Sequence, residues 1–323
     1  MNIIDTILSR KEFIEDPPVL LDIGASGSLH KEWNTIAKYS ICVAFDPDER
    51  EMGSVSESAR LFRKLHIVPA IVSDQKADHI DFYLTRSPFC SSLLKPDKES
   101  LSHWAFSSLF DIDTMAKLKA VTLPEVLNSL DIGYVDWFKT DSQGIDLRLF
   151  KSLPSEMISH VLSADFEPGI IDAYYGEDKL FSLIAFMEGR EFWMSNLRIF
   201  GSQRISEDIL TTNFTPFKRK YVRFLLRTSP GWGEVSFLNT LGEKQSFSKR
   251  DYLLAWVFAT IKQQHGFAME IAAGGMKRFG DPAFTDMREH SLSKIQSAIV
   301  KLPLWYLKKI IDKLFRIAGV SDL

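Results

Sequence analysis

The chain has 323 residues, of which 45% are hydrophobic and 25% charged, the balance of a globular protein with enough apolar material for a core. No apolar run reaches the length of a membrane span, and the first residues do not have the pattern of a signal peptide. The two cysteines, Cys42 and Cys90, form no paired motif. We therefore expect a reduced, cytoplasmic protein without disulfide bonds.

The net charge of −3 hides an uneven distribution along the chain. Residues 1–200 carry 20 Lys and Arg against 31 Asp and Glu, whereas residues 201–323 carry 19 against 11. An acidic surface disfavours nucleic acid as a partner of the first part, and the basic second part could contact an anionic surface.

Short apolar runs alternate with helix-like segments over the first 200 residues. The predicted strands are 19–23, 40–45, 66–72, 134–140, 160–166 and 191–200. Several of these runs are apolar at consecutive positions, as in strands covered on both faces. Strands that alternate with helices in this way predict a doubly wound α/β sheet.

The pattern changes after about residue 205. Residues 250–275 predict one helix or two that end at Gly274 and Gly275, and residues 294–320 predict a basic amphipathic helix interrupted by Pro303. We therefore predict two domains, 1–205 and a mostly helical extension over 206–323. The favoured interpretation of the last helix is packing on the domain or on a second copy in a homodimer. The alternative is a peripheral membrane contact, at the inner face of the membrane.

The first predicted strand runs into the stretch DIGASG, residues 22–27. Glycines at such a turn let the backbone approach a ligand, and open α/β sheets bind ligands at the carboxyl ends of their strands. A dinucleotide site favours glycine where this chain has Asp22, because an acid there would face the pyrophosphate. S-adenosylmethionine carries an amino group and a sulfonium instead, and an acid at the strand end suits these cations.

Asp46 lies at the end of the second strand, where an acid binds ribose hydroxyls. Alternatively, the turn at 22–27 binds no ligand, and Asp46 caps a helix or forms a turn before Pro47.

Beyond these two acids, six stretches carry a family resemblance: LLDIGASGS (20–28), VAFDPD (43–48), VPAIVSD (68–74), FYLTRSPFCSSLLKPD (82–97), VTLPEVLNSLDIGYVDWFKTDSQGIDLRLFKSL (121–153) and FEPGIIDAYYGE (166–177). Through them, residues 18–200 resemble the FkbM-type S-adenosylmethionine-dependent methyltransferases. The resemblance implies a class I methyltransferase fold, which is Rossmann-like with seven strands, the last antiparallel. It also implies methyl transfer to a hydroxyl of a sugar, glycan or natural product.

The resemblance also assigns roles to individual positions. The residues that would hold the methionine end of the cofactor are Asp22, Gly24, Ala25 and Gly27. The other matched positions are Asp46 for the ribose, Ser73 and Asp74 near the adenine, Ser91 and Ser92 at the family's serine pair, and Lys139, Asp141 and Gly144 in its K-x-D-x-x-G-x-E signature. The chain departs from that signature at Asp146, where the family commonly has Glu.

Methyl transfer to a hydroxyl is helped by a base that removes the proton as the oxygen attacks. Asp141 is the first candidate and Glu167 the second. Alternatively, Asp141 caps the next helix and orients the loop through Ser142 and Gln143. Asp141, Asp165 and Glu167 could together bind a divalent cation that assists the methylation of a hydroxyl. This option is less favoured, and we predict no metal site.

The sequence therefore predicts an S-adenosylmethionine-dependent O-methyltransferase that acts on a small-molecule or glycan hydroxyl. Two alternatives remain. An NAD-dependent oxidoreductase is disfavoured by Asp22, and a non-catalytic adapter would dock through the basic C-terminal helix.

Overall fold

A computed structural model describes residues 2–25, 29–45, 60–242, 246–302, 306–307 and 309–310. The predicted cofactor residues Gly27 and Asp46 lie outside the described residues. So do residues 303–305, 308 and 311–320 of the predicted helix 294–320.

The described chain forms ten strands in two sheets. They are β1 Val19–Ile23, β2 Ile41–Phe45, β3 Lys64–Val68, β4 Ile71–Val72, β5 Ala77–Thr85, β6 Ile112–Val121, β7 Trp137–Thr140, β8 Ser163–Phe166, β9 Phe192–Gln203 and β10 Thr228–Asn239. Seven of them form the main sheet in the order β3-β2-β1-β7-β8-β10-β9, and β10 alone runs antiparallel to its neighbours. The prediction of an α/β fold with a mostly parallel seven-stranded sheet is confirmed, and the strand order is compatible with a Rossmann-like fold.

The strand β10 lies beyond residue 205, where we expected the first domain to end. It inserts between β8 and β9, so the main sheet continues past that boundary. The sequence analysis missed this strand because Pro230, Gly231 and Gly233 are typical of turns. The structure accommodates them with a register shift between Pro230 and Trp232 in the pairing with β9.

The predicted strand 66–72 is two strands in the structure. The strand β3 joins the main sheet, whereas β4 pairs with β6 in a separate three-stranded sheet of order β4-β6-β5. The sequence analysis did not predict β5 or β6.

Helices cover both faces of the main sheet. The α-helices are Ile3–Leu8, Lys11–Glu15, Lys98–Leu101, Leu123–Ser129, Asp146–Ser152, Ser155–His160, Leu180–Glu188, Glu207–Asn213, Pro216–Leu225, Lys249–Ile261, His265–Phe279 and Ala283–Val300. Short 3₁₀ helices span Lys31–Thr35, Ala37–Tyr39, Pro88–Cys90 and Ser107–Phe110. Among the helices in the described part of the chain, none is both long and apolar enough to cross a membrane.

The predicted helix end at Gly274 and Gly275 is wrong. The helix continues to Phe279 and ends at Gly280, which has the left-handed φ of +64° that favours glycine. A Cβ on Gly275 would lie 2.3 Å from the Phe284 ring, so this glycine serves close packing against the next helix.

The helices 249–261 and 265–279 pack on one face of the main sheet and share a core with Leu20 and Trp137. An ion pair holds the start of the helix 249–261 against the residue that precedes β7. Arg250 contacts the buried Asp136 through both carboxylate oxygens at 2.8 Å. These two helices are therefore part of the layer that covers the sheet.

Candidate functional site

The strands β1 and β7 are neighbours in the sheet although more than 100 residues separate them in the chain. The strand that follows β1 in the chain, β2, lies on one side of this pair, and the strand that follows β7, β8, lies on the other. The strand order of the sheet therefore reverses between β1 and β7. Their carboxyl ends meet, because the Asp141 N–H donates to the Ile23 carbonyl at 3.0 Å. Open α/β sheets bind ligands at such a point.

Gly24 brings the loop after β1 against the loop after β7. Its φ is +78°, and a Cβ there would lie 2.3 Å from the carbonyl oxygen of Asp141. The N–H groups of Gly24 and Ala25 donate to the Phe45 carbonyl at 3.1 and 3.2 Å, which ties the turn to the end of β2. Only glycine fits this contact between two main chains.

Asp22 and Lys139 form an ion pair beneath this turn. The Lys139 ammonium lies 2.8 Å from the Asp22 carboxylate, which is wholly buried, and 3.3 Å from the Gly24 carbonyl oxygen. The other Asp22 oxygen accepts from the His30 N–H at 3.2 Å. Burial lowers the pKa of Lys139, but the nearby charges of Asp22 and Asp141 outweigh it and hold that pKa above its usual value. Asp22 thus positions Lys139 and the loop, rather than presenting its carboxylate at the surface.

Asp146 connects the ends of β7 and β8. One carboxylate oxygen accepts from the Thr140 hydroxyl at 3.1 Å, from the Ser142 N–H at 2.9 Å and from the Ser142 hydroxyl. The other oxygen accepts from the Glu167 N–H at 2.8 Å. Burial raises the pKa of Asp146 to about 6, against the opposing effect of these hydrogen bonds. The sequence analysis noted this residue only as a departure from the signature and missed its structural role.

Asp141 and Glu167 face each other where these two strands end. Burial, the charge of Asp141 and a hydrogen bond to Asp141 raise the pKa of Glu167 to about 9, which favours the protonated form of Glu167 at neutral pH. The structure therefore brings the two predicted acids together. They form a close carboxyl pair, in which burial and mutual repulsion favour retention of one proton.

The alternative in which Asp141 caps the next helix is wrong. The cap position of the helix Asp146–Ser152 is Ile145, without a side-chain hydrogen bond. Of the two residues named in its second part, Gln143 agrees with the structure, because its amide donates to Asp141 at 2.6 Å, whereas Ser142 donates to Asp146 instead.

Gln143 is itself held by residues from two other segments. Its backbone has a φ of +55°, and its carbonyl accepts from the Ser92 hydroxyl at 2.6 Å. The Tyr174 hydroxyl lies 3.2 Å from the Gln143 side-chain oxygen and 2.9 Å from the Cys90 carbonyl oxygen. Sequence reasoning gave neither Gln143 nor Tyr174 this role, since their contacts join positions far apart in the chain.

Three other predicted cofactor residues have local contacts. The Ser91 hydroxyl accepts from the Thr85 N–H at 3.1 Å, which closes the turn after β5. Ser73 is buried and follows β4 in the small sheet rather than a strand of the main one. Its hydroxyl lies 3.3 Å from the Asp74 carboxylate.

Asp165 does not join Asp141 and Glu167 in a cation site. Its carboxylate accepts from Trp137 at 2.6 Å, from Ser236 at 2.5 Å and from Lys262 at 2.8 Å. These contacts hold it in a separate cluster on the face of the sheet that the helix 249–261 covers.

That cluster also contains His30 and Glu32, and its ligand atoms lie within 4.8 Å of one another. The Lys262 ammonium, however, lies 2.9 Å from Glu32 and 2.8 Å from Asp165. Although burial raises it, the pKa of Glu32 is brought down to about 2 by His30 and Lys262. The lysine thus supplies the positive charge that these carboxylates need.

Comparison of the chain with protein-family models, with curated proteins and with solved structures found no match. The resemblance to FkbM-type methyltransferases therefore stays a prediction from the motifs, and the site is interpreted from its own geometry and charge.

Gly24→Ala tests the contact between the two loops. We expect it to lower the free energy of unfolding by at least about 2 kcal/mol, because the new Cβ meets the Asp141 carbonyl and the φ is left-handed. Urea unfolding measures the change. Gly133→Ala is the matched control, since nothing lies within 4 Å of a Cβ at that position. Equal stability of the two variants would contradict the geometry.

Glu167→Gln tests the shared proton. The pKa of Glu167 is higher in the folded protein than its usual 4.5, so the protonated group stabilises the fold at low pH and this contribution is lost as the pH rises toward 9. The variant should therefore gain stability relative to wild type by up to about 1.4 kcal/mol per pH unit between pH 5 and 9. Urea unfolding at pH 5, 7 and 9 measures the difference.

The exposed Glu156→Gln serves as its control, because this carboxyl lies on the surface helix Ser155–His160. We expect its stability to follow wild type at all three pH values. If Glu167→Gln does the same, the paired proton is not there.

Proposed function

We propose that this chain is an S-adenosylmethionine-dependent methyltransferase that transfers a methyl group to a hydroxyl of a sugar, glycan or natural product. One observation carries the proposal: the carboxyls of Asp141 and Glu167 lie together at the ends of β7 and β8, and Asp141 adjoins the point where the strand order reverses. A carboxyl whose pKa is raised by burial and a neighbouring acid, as that of Glu167 is, is typical of a functional site.

The charge of the site favours this cofactor over one with phosphates. Asp141 and Asp146 lie at the carboxyl edge, and the one nearby cation among the contacts described above, Lys139, is neutralised by Asp22 at 2.8 Å. A pyrophosphate would meet an acidic surface there. The amino group and sulfonium of S-adenosylmethionine are cationic and fit it.

The residues that would hold the cofactor are those of the loop after β1. Gly24 and Ala25 shape the turn through their hydrogen bonds to Phe45, with Gly27 and Asp46 in segments outside the described residues. When bound, S-adenosylmethionine supplies an electrophilic methyl group. The protein needs to orient the acceptor oxygen and to receive its proton.

Asp141 is the group that takes this proton in the proposed reaction. Its position is fixed by the Gln143 amide on one side and by protonated Glu167 on the other. When Asp141 takes the proton of the acceptor hydroxyl, both carboxyls of the pair are neutral, so one proton must leave to solvent before the next transfer.

The class I methyltransferase fold is part of this proposal as well. In chain order the last strand of the main sheet, β10, is the antiparallel one, as the resemblance to class I methyltransferases implies. This topology supports the proposal together with the signature FKTDSQGIDLRLF around Asp141.

Calorimetric titration with S-adenosylmethionine, S-adenosylhomocysteine and NAD tests the cofactor. We expect both sulfur nucleotides to bind with micromolar Kd values and NAD not to bind. Asp46→Ala should weaken the binding by about 10- to 100-fold, the effect of losing a charged hydrogen bond. Asp78→Ala, an exposed acid on β5, is the matched control and should bind as wild type does.

Transfer of a labelled methyl group to a panel of glycans then tests the role of Asp141. Asp141→Asn should keep the Kd for S-adenosylhomocysteine and lose at least about 100-fold in rate. Binding of NAD, or no binding of either sulfur nucleotide, would contradict the proposal.

A further inference from the structure

The helix Pro216–Leu225 carries a stripe of large apolar side chains that face solvent. Phe217, Tyr221, Phe224 and Leu225 recur at the spacing of one helix face, and they are 73%, 52%, 67% and 57% exposed. Phe217 and Tyr221 contact each other with ring centroids 5.0 Å apart. A soluble helix normally turns such a face toward the core, so this one is suited to an apolar surface outside the chain.

Basic residues accompany this stripe. Residues 209–233 contain five Lys and Arg and no Asp or Glu. Lys218 and Lys220 are exposed on the helix, and Arg227 is exposed just after it. A short helix with aromatic residues on one face and cations beside them is typical of helices that lie in the interface of an anionic membrane.

The helix sits at the same edge of the sheet as the candidate site. The end of β8 at Phe166 pairs with Val235, and β10 extends beyond that pair by the residues 228–234. At the rise of a strand this extension is roughly 20 Å. It lies on the carboxyl side of the parallel strands, with the helix in the connection between β9 and β10.

Stacked aromatic rings hold this two-stranded ribbon against the segment before β6. Trp232 on β10 stacks on Phe106 and on Phe200, with interplanar angles of 10° and 19°. Phe110 of the same segment packs edge-on against Tyr174, which contacts Gln143 beside Asp141. The ribbon is thus packed into the same group of residues as the site.

We propose that the helix Pro216–Leu225 docks the protein on the surface of an anionic lipid membrane. A second copy of the chain is a poorer partner, because a symmetric contact through this helix would bring the same cations together. This inference does not depend on methyl transfer. It differs from the membrane contact that the sequence suggested for residues 294–320.

Flotation of the full chain with vesicles tests the docking. We expect binding to vesicles that contain phosphatidylglycerol, weak binding to pure phosphatidylcholine, and release as the salt concentration rises. Phe217→Ser with Phe224→Ser should weaken the partitioning at least tenfold. Lys218→Ala with Lys220→Ala should weaken it about 30-fold on anionic vesicles only.

Two control variants separate this helix from other apolar surface. Ile14→Ser with Phe181→Ser removes side chains that are 60% and 73% exposed elsewhere, and it should bind as wild type does. Leu307→Ser with Ile310→Ser, in the C-terminal segment, should also leave the binding unchanged.

Other results would overturn the proposal. They are equal binding to both kinds of vesicle, loss of binding only in the C-terminal variant, or no binding to anionic vesicles. In the last case, a dimer that the Phe217 and Phe224 changes dissociate would identify a second copy of the chain as the partner.

Discussion

The carboxylate of Asp146 is the constraint on which the site depends. It accepts from Thr140 and Ser142 after β7 and from the Glu167 N–H after β8, and it is almost wholly buried. A buried carboxylate that lost these donors would be strongly destabilising. By joining the ends of two neighbouring strands, Asp146 fixes the positions from which Asp141 and Glu167 face each other.

The electrostatics of the edge follow from this arrangement. Burial is the largest cause of the raised pKa of Glu167, and the charges of Asp141 and Asp146 add to its effect. Lys139 does not relieve the excess of acid, since Asp22 neutralises it within the sheet. The edge is therefore acidic and attracts cations, which suits the cationic cofactor proposed above. The exposed helix Pro216–Leu225 at the same edge would turn that site toward a membrane surface.

The sequence predicted the features that depend on local pattern. The apolar runs that end in Asp22 and Asp141 marked two strands of the sheet and the edge where their ends meet. It could not predict β10, because its Pro230 and two glycines are typical of turns, and only pairing with both neighbours makes the segment a strand. The sequence also could not predict the burial of Asp22, because the register between β1 and β7 places Lys139 beside it.

The most direct test of this account is infrared spectroscopy of the protein as a function of pH. The carbonyl stretch of a protonated carboxyl should be present at pH 7, disappear as the pH passes about 9, and be missing at pH 7 in Glu167→Gln. A spectrum without that band at pH 7, or a band that Glu167→Gln leaves in place, would contradict the shared proton between Asp141 and Glu167.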